Sequence, residues 1–244
     1  MKKKFDYDTI PADYQFVAMT EGGRFQKFWH AAKLSLIETK LLSNNVCSVL
    51  DLGCGSGNVA FYLLRNGQFK VCGVDVTKSY IKFCNERKKK ENVDGEFKTY
   101  DGKKISYEDE SFNAIVSSEV IEHVDNPKKH LKEIHRVLED DGLLFLTTPN
   151  YRKISFWPIL EYISDKLSLT PKMKGEQHIN FYKPNTLKQL LEDSGYEVQE
   201  MSSYYGFSPF WAILSRRAAI KCFQFEFLRN NTRRMVLYVI ARKK

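Results

Sequence analysis

Residues 51–57 read Asp51-Leu52-Gly53-Cys54-Gly55-Ser56-Gly57, after an apolar run and before a helical pattern over 58–66. Glycines at alternate positions let a backbone turn tightly and approach a ligand with no Cβ in the way. The spacing is G-x-G-x-G. A dinucleotide loop needs G-x-G-x-x-G, and a Walker-type loop needs Lys and Ser or Thr after its last glycine; here position 58 is Asn. Asp51 narrows the ligand further, because a carboxylate beside the loop repels a pyrophosphate and attracts an ammonium group. The loop favours a ligand with a cationic end and an adenosine over a phosphate chain.

Two more acids follow in order. Asp75 ends the next apolar run 22 residues after Gly53, the spacing at which an acid accepts hydrogen bonds from ribose hydroxyls. Asp101-Gly102 ends the run after that, where a carboxylate can accept from an adenine amino group. A lone loop acid is ordinarily a solvated one. Three of them, each at a strand end in sequence, describe a site.

A second cluster is Ser118-Glu119-Val120-Ile121-Glu122-His123. Read as a short helix over 119–124, it sets Glu119, Glu122 and His123 at i, i+3 and i+4 on one face. Two carboxylates and an imidazole there can hold a divalent metal, magnesium or another. The competing reading needs no ligand: acids in a first helical turn are favoured by the dipole, and His123 is a satisfied core histidine.

The elements that must carry these residues alternate. Strand patterns at 46–52, 71–76, 97–100, 113–118 and 143–148 are separated by helical ones at 22–43, 58–66, 78–90 and 127–139. Alternation of this kind gives a parallel sheet covered on both faces. A helix over 184–194 and two final strands, 197–202 and 235–241, complete the pattern as an antiparallel, hairpin-like edge. Residues 1–21 show no clear periodicity. About 35 residues separate the fifth strand from the next helix, more than an ordinary connection. Within them Phe156, Ile159, Leu160, Ile163 and Leu167 fall at helical spacing. This predicts a docked helix, an apolar lid over a substrate, or a membrane-surface helix. The expected organisation is one domain: a helical cap (1–45), a cofactor core (46–148), a lid insertion (149–183) and a C-terminal helix with edge strands and a basic tail (184–244).

Composition sets the class. The chain has 244 residues, 43% hydrophobic and 28% charged, which excludes a disordered tail, a collagen-like repeat and a disulfide miniprotein. No apolar run reaches the ~20 residues of a membrane span, and the Lys2-Lys3-Lys4 start leads into Phe5 and Asp6 rather than an apolar stretch. Five cysteines with no C-x-x-C pair read as reduced thiols, so the expected location is the cytoplasm. The net charge of +8 is concentrated in 216–244, which holds nine Lys or Arg and one acid, Glu226. That segment is either a solvated rim or a contact for phospholipid headgroups or RNA phosphates.

With these residues in place, VLDLGCGSG, GVDV and YDG together resemble the class I S-adenosylmethionine-dependent methyltransferases. The resemblance implies a Rossmann-like, seven-stranded, mostly parallel α/β sheet with the last strand antiparallel and helices on both faces, plus the helical lid insertion. It places Gly53 and Gly55 along the methionine part of S-adenosyl-L-methionine, Asp75 at the ribose, Asp101 at the adenine and Ser118 beside the cofactor, with Asp51 and Gly57 in the same cofactor-binding set. Lys33 aligns with an Arg that some relatives use on the cofactor carboxylate. Residues 24–200 are most similar to the ubiquinone-biosynthesis O-methyltransferase branch, in which E-x-x-E-H binds metal and the insertion contacts membrane. Thr148-Pro149-Asn150 and the Glu176–Pro184 run extend the likeness. The same E-x-x-E-H with a later His occurs in small-RNA 3′-terminal 2′-O-methyltransferases, where His178 would complete a four-ligand site.

The expected activity is therefore O-methylation of a small-molecule hydroxyl on a quinone-like lipid, a sugar or a natural product, with metal assistance as a further element. His123 or His178 takes the acceptor proton, and a histidine that ligates metal is not the free base. Peripheral membrane contact is expected through 151–170 and the basic C-terminal segment. Two alternatives stand beside this reading: an RNA 2′-O-methyltransferase using the basic tail, and a cofactor-binding regulatory protein without turnover.

Overall fold

Short apolar runs bounded by glycines, asparagines and prolines fold into one seven-stranded sheet in the computed structural model, which describes residues 9–151, 178–228 and 231–244. The strands are β1 (Ser48–Leu52), β2 (Lys70–Asp75), β3 (Gly95–Thr99), β4 (Phe112–Ser118), β5 (Leu138–Pro149), β6 (Tyr196–Tyr204) and β7 (Val236–Lys243). Their order is β3-β2-β1-β4-β5-β7-β6, with β7 antiparallel to both neighbours and the other pairings parallel. The expected α/β class and antiparallel last strand are both present.

Buried strands read as continuous apolar runs because both of their faces are covered. In β5, Leu143 and Phe145 enter one core, whereas Leu144 and Leu146 enter the other. The first core is closed by α2 (Arg24–Ser43), α3 (Asn58–Asn66) and α4 (Lys78–Glu91); the second by α5 (Pro127–Val137) and α6 (Pro184–Glu192). Pro127 and Pro184 each sit in the first turn of their helix, where a missing N–H costs nothing.

Several boundaries depart from the sequence reading. Residues 1–21 show no visible period, yet α1 (Tyr14–Thr20) forms there; about two turns are too short to print a 3.6-residue pattern. The helix expected over 127–139 ends at Val137, and the strand expected over 143–148 begins at Leu138, so the Asp141-Gly142 pair does not separate them. It lies within β5, where pairing jumps from Phe112–Leu138 to Ala114–Leu143. The final strands are not an edge hairpin: β7 is an interior strand between β5 and β6, and 31 residues separate β6 from β7. Two helices unassigned from the sequence, α7 (Ser208–Leu214) and α8 (Arg216–Leu228), fill that connection. The apolar stretch 156–167 lies outside the described residues, as does most of the expected lid.

The basic C-terminal segment is partly structural. Lys243 donates to Leu138 O at 2.8 Å, Arg242 to Asp141 O at 2.6 Å, and Arg234 to Ser203 O at 2.9 Å. Among the described residues no helix is long and apolar enough to cross a membrane.

The topology fixes where a site can form. Because β6 and β5 both run antiparallel to β7, Tyr204 and Pro149 pair with the same residue, Val236. The ends of β1, β2, β4, β5 and β6 therefore open on one edge of the sheet, where open α/β sheets bind ligands.

Candidate active site

The glycine loop leaves β1 at that edge. Gly53, Gly55 and Gly57 have φ of +73°, +52° and +77°, the left-handed region that costs a residue with a Cβ about 1 kcal/mol or more. At Gly53 the requirement is also steric, since a Cβ would lie 2.5 Å from Val120 Cγ2. Gly53 N and Cys54 N both donate to Val74 O, which ties the loop to the end of β2.

The strand-end acids hold this loop. Asp51 is buried and accepts from Ala60 N at 3.0 Å, satisfying an open N–H in the first turn of α3. Burial pushes its carboxyl up to about 7, against the pull of the Ala60 N–H and of Lys33. Asp75 is also buried. It accepts from Gly55 N and from Thr77 N, each at 2.9 Å, and burial raises its carboxyl although those N–H groups oppose the shift. A carboxylate has further lone pairs, so these bonds leave Asp75 able to accept from a diol. Asp101 is exposed and accepts from Lys103 N and Lys104 N at 2.8 Å; the Lys104 and then the Lys103 N–H hold its carboxyl below the usual range.

The N-terminal segment crosses over the loop. Ser56 Oγ donates to Ala12 O at 2.6 Å and Asn58 Nδ2 to Gln15 O at 2.9 Å. Arg87 stacks between the rings of Phe16 and Phe61, at 4.3 and 4.0 Å, and donates to Ser56 O.

The second cluster follows β4 on the same edge, but not as the helix expected from its spacing. Glu119 is in the left-handed region, at φ +59°, and only Ile121–His123 forms a 3-10 turn. The i, i+3, i+4 face therefore does not exist. Glu119 turns toward Lys33, with Oε1 3.6 Å from Nζ, so the two residues assigned to metal and to the cofactor carboxylate face each other. Ser118 ends β4, its hydroxyl 3.1 Å from that of Thr147.

His178 takes the place that spacing gave to Glu119. One ligand atom each from Glu122, His123 and His178 lies within 4.8 Å of the others, and the two imidazole rings are 4.9 Å apart. Glu122 is fully buried. Its Oε2 accepts from Thr148 Oγ1 at 2.9 Å; Oε1 has no hydrogen-bond partner among the described residues and lies 4.0 Å from His123 Nε2. Burial, then the nearby Glu119 charge, pushes the Glu122 carboxyl up to about 8. Burial, then His123, drives His178 down to about 4.

Four contributors were invisible to spacing. Asn180 Nδ2 donates to Ile121 O and Val124 O, at 3.2 and 2.7 Å, clamping the 3-10 turn to the strand of chain that carries His178. Tyr151 OH is 2.5 Å from His178 Nδ1. The hydroxyls of Tyr182 and Tyr204 are buried without a hydrogen-bond partner among the described residues. A tyrosine in an apolar run carries no mark of which pocket its hydroxyl enters. The His178-x-Asn180 pair was the one available signal.

The two clusters meet at Val120, between Glu119 and Glu122, whose side chain packs where a Gly53 Cβ would be. A seven-stranded sheet, a glycine loop tied to strand-end acids, and an acid-histidine turn beside it define a class I S-adenosylmethionine-dependent methyltransferase domain. Residues 25–201 match the family described as methyltransferase domain, and the chain belongs to that family. It is 30% identical over 171 residues to the mitochondrial ubiquinone biosynthesis O-methyltransferase of Rattus norvegicus, covering 67% of this chain and 48% of that relative. The chain thus spans about half the length of the curated relatives it matches. Among solved structures, a SAM-dependent methyltransferase from Aquifex aeolicus superposes with a TM-score of 0.56 at 18% identity, covering 81% of this chain and 82% of that one. The [4+2]-cyclase SpnF superposes with a TM-score of 0.57 at 17% identity, covering 81% and 74%. At these identities the likeness establishes the fold, and the cyclase shows that this fold alone does not fix a reaction.

Proposed function

We propose that this chain transfers a methyl group from S-adenosyl-L-methionine to a hydroxyl of a small molecule, with a quinone-like lipid as the favoured acceptor. The observation that carries the reading is the convergence of Glu122, His123 and His178 beside the glycine loop. The family membership and the O-methyltransferase names of its relatives support it.

In the reaction the sulfonium carbon–sulfur bond breaks as a carbon–oxygen bond forms in line, and the acceptor O–H loses its proton. The chain's task is alignment in a site closed from water. The Gly53–Gly57 loop and Asp75 hold the donor, and Asp51 pairs with its ammonium group. His178 is uncharged at neutral pH and accepts the acceptor proton, with Tyr151 orienting its ring through Nδ1.

The donor set also bears on a metal. One carboxylate and two imidazoles suit a divalent transition ion; magnesium prefers oxygen ligands, and nothing else supports it here. The partnerless Glu122 Oε1 fits such an ion, which Glu122, His123 and His178 would hold and which would supply Lewis acidity at the acceptor oxygen. An imidazole that ligates metal is not also the free base.

The test is methyl transfer from labelled S-adenosylmethionine to an alkyl-tailed catechol, in chelator and with manganese or zinc restored. Activity retained in chelator and lost in His178→Ala assigns proton acceptance to His178. Activity that needs the ion, and is lost in Glu122→Gln, assigns the ligand role. No transfer to catechol, sugar or phenol pools, with normal S-adenosylhomocysteine binding, would sink the enzymatic reading.

A further inference from the structure

Water-exposed apolar side chains concentrate on one part of this protein. Leu214 is 72% exposed, Leu228 82%, Phe207 60% and Ile213 53%, all on or next to α7 and α8. Apolar groups left in water cost about 25 cal/mol per Å², and a contiguous patch of them marks a contact surface.

The exposed charges that α7 and α8 themselves carry have one sign. Arg216, Arg217 and Lys221 are exposed on α8. Arg24 reaches over from α2 and donates to Ile213 O at 3.3 Å. The one acid of this helix pair, Glu226, is turned inward: it accepts from Phe207 N, Ser208 N and Ser208 Oγ, at 2.6, 3.1 and 2.7 Å. An apolar face with a cationic border is the pattern of a helix lying at a lipid interface, with acyl contact below and phosphates at the rim.

We propose that the α7–α8 face docks on an anionic phospholipid surface. Charge complementarity selects this occupant. An isologous pair of copies would bring Arg216, Arg217 and Lys221 against themselves. RNA would meet the cations and find rings in Phe207, Phe210 and Trp211, but the most exposed apolar side chains, Leu214 and Leu228, with Ile213, are aliphatic; they would stay in water against RNA and are covered by acyl chains. The location also fits. The pair α7–α8 leaves the end of β6 that shares the sheet edge with the glycine loop and Glu122, so docking sets the site's edge toward the membrane. This inference stands independently of the methyl-transfer reading.

The full chain is floated with phosphatidylcholine vesicles and with vesicles containing phosphatidylglycerol. The expected result is binding only to the anionic vesicles, with a blue shift in fluorescence that is absent in Trp211→Phe. Arg216→Gln with Arg217→Gln should weaken binding roughly thirtyfold, at about 1 kcal/mol per cation near the surface. Trp211→Ser with Leu214→Ser should abolish it. S-adenosylhomocysteine affinity, unchanged in both variants, shows that they are folded. Equal binding to neutral vesicles, no flotation of the wild type, or flotation of both variants like wild type would overturn the proposal. So would a dimer dissolved by the serine pair, or a salt-sensitive RNA shift without flotation.

Discussion

The backbone carbonyl of Glu122 accepts two hydrogen bonds from one distant segment, from Ile179 N at 2.9 Å and from Asn180 N at 3.0 Å. Fifty-eight positions separate Glu122 from Asn180, yet this join, with the Asn180 side chain, is what brings His178 beside His123. The imidazoles meet because a loop is stitched to a turn, not because a helix spaces them.

Breaking that stitch should separate chemistry from cofactor binding. Asn180→Ala leaves Ile121 O and Val124 O without their side-chain donor, at about 1 kcal/mol because both bonds are half-buried and water can replace the donor. Methyl transfer should fall about tenfold or more from misplacement of His178. S-adenosylhomocysteine affinity, read by calorimetry, should stay near wild type. Parallel loss of both would make Asn180 a general structural residue.

Asp51 sets a pH dependence for cofactor binding. Its carboxyl is held up at about 7 by burial, and an ammonium group pairs with the ionised form. Affinity for S-adenosylhomocysteine should be flat above about pH 7. It should weaken toward about tenfold per unit as pH falls below that value. Asp51→Asn should bind more weakly at pH 8 and lose the slope; a wild-type titration flat from pH 5.5 to 8 contradicts the pairing.

Gly53 joins the two clusters by having no side chain. Gly53→Ala puts a Cβ in the left-handed region and 2.5 Å from Val120 Cγ2. The backbone component alone is about 1–2 kcal/mol, and thermal unfolding should show at least that loss. Adding Val120→Ala should recover the steric part and leave the backbone part. A Gly53→Ala protein as stable as wild type would show that the loop is not confined as described.

His130 on α5 gives an acid-limb prediction away from the site. It is buried, its Nε2 has no hydrogen-bond partner among the described residues, and burial lowers it to about 4. The unfolded chain binds a proton near pH 6.5 that the folded chain refuses until about pH 4. Stability is therefore lost as pH falls through that window, by about 3 kcal/mol at pH 4. His130→Leu should remove this component, so the variant gains on wild type by about that amount between pH 7 and pH 4. Denaturant midpoints at the two pH values check it; parallel curves would contradict it.

The sequence by itself determined the parallel part of the sheet and the positions of the glycine loop and the strand-end acids. Residues 51–57 declare a loop because glycine adopts those backbone angles at the least cost, and Asp75 and Asp101 are placed by where apolar runs stop. These are local facts, written within one element and its neighbour. What lies between distant segments was decided only in three dimensions. The i, i+3, i+4 pattern of Glu119, Glu122 and His123 promised a helix, but the chain leaves β4 through a left-handed residue, and Glu119 pairs with Lys33 instead. The resemblance named His178, but what seats it beside His123 is a set of hydrogen bonds to the backbone of the 121–124 turn, and those bonds carry no sequence signature. The placement of β7 inside the sheet, and of α7 and α8 on its binding edge, came from the same source. Local periodicity records which face of an element is buried; it does not record which other element buries it.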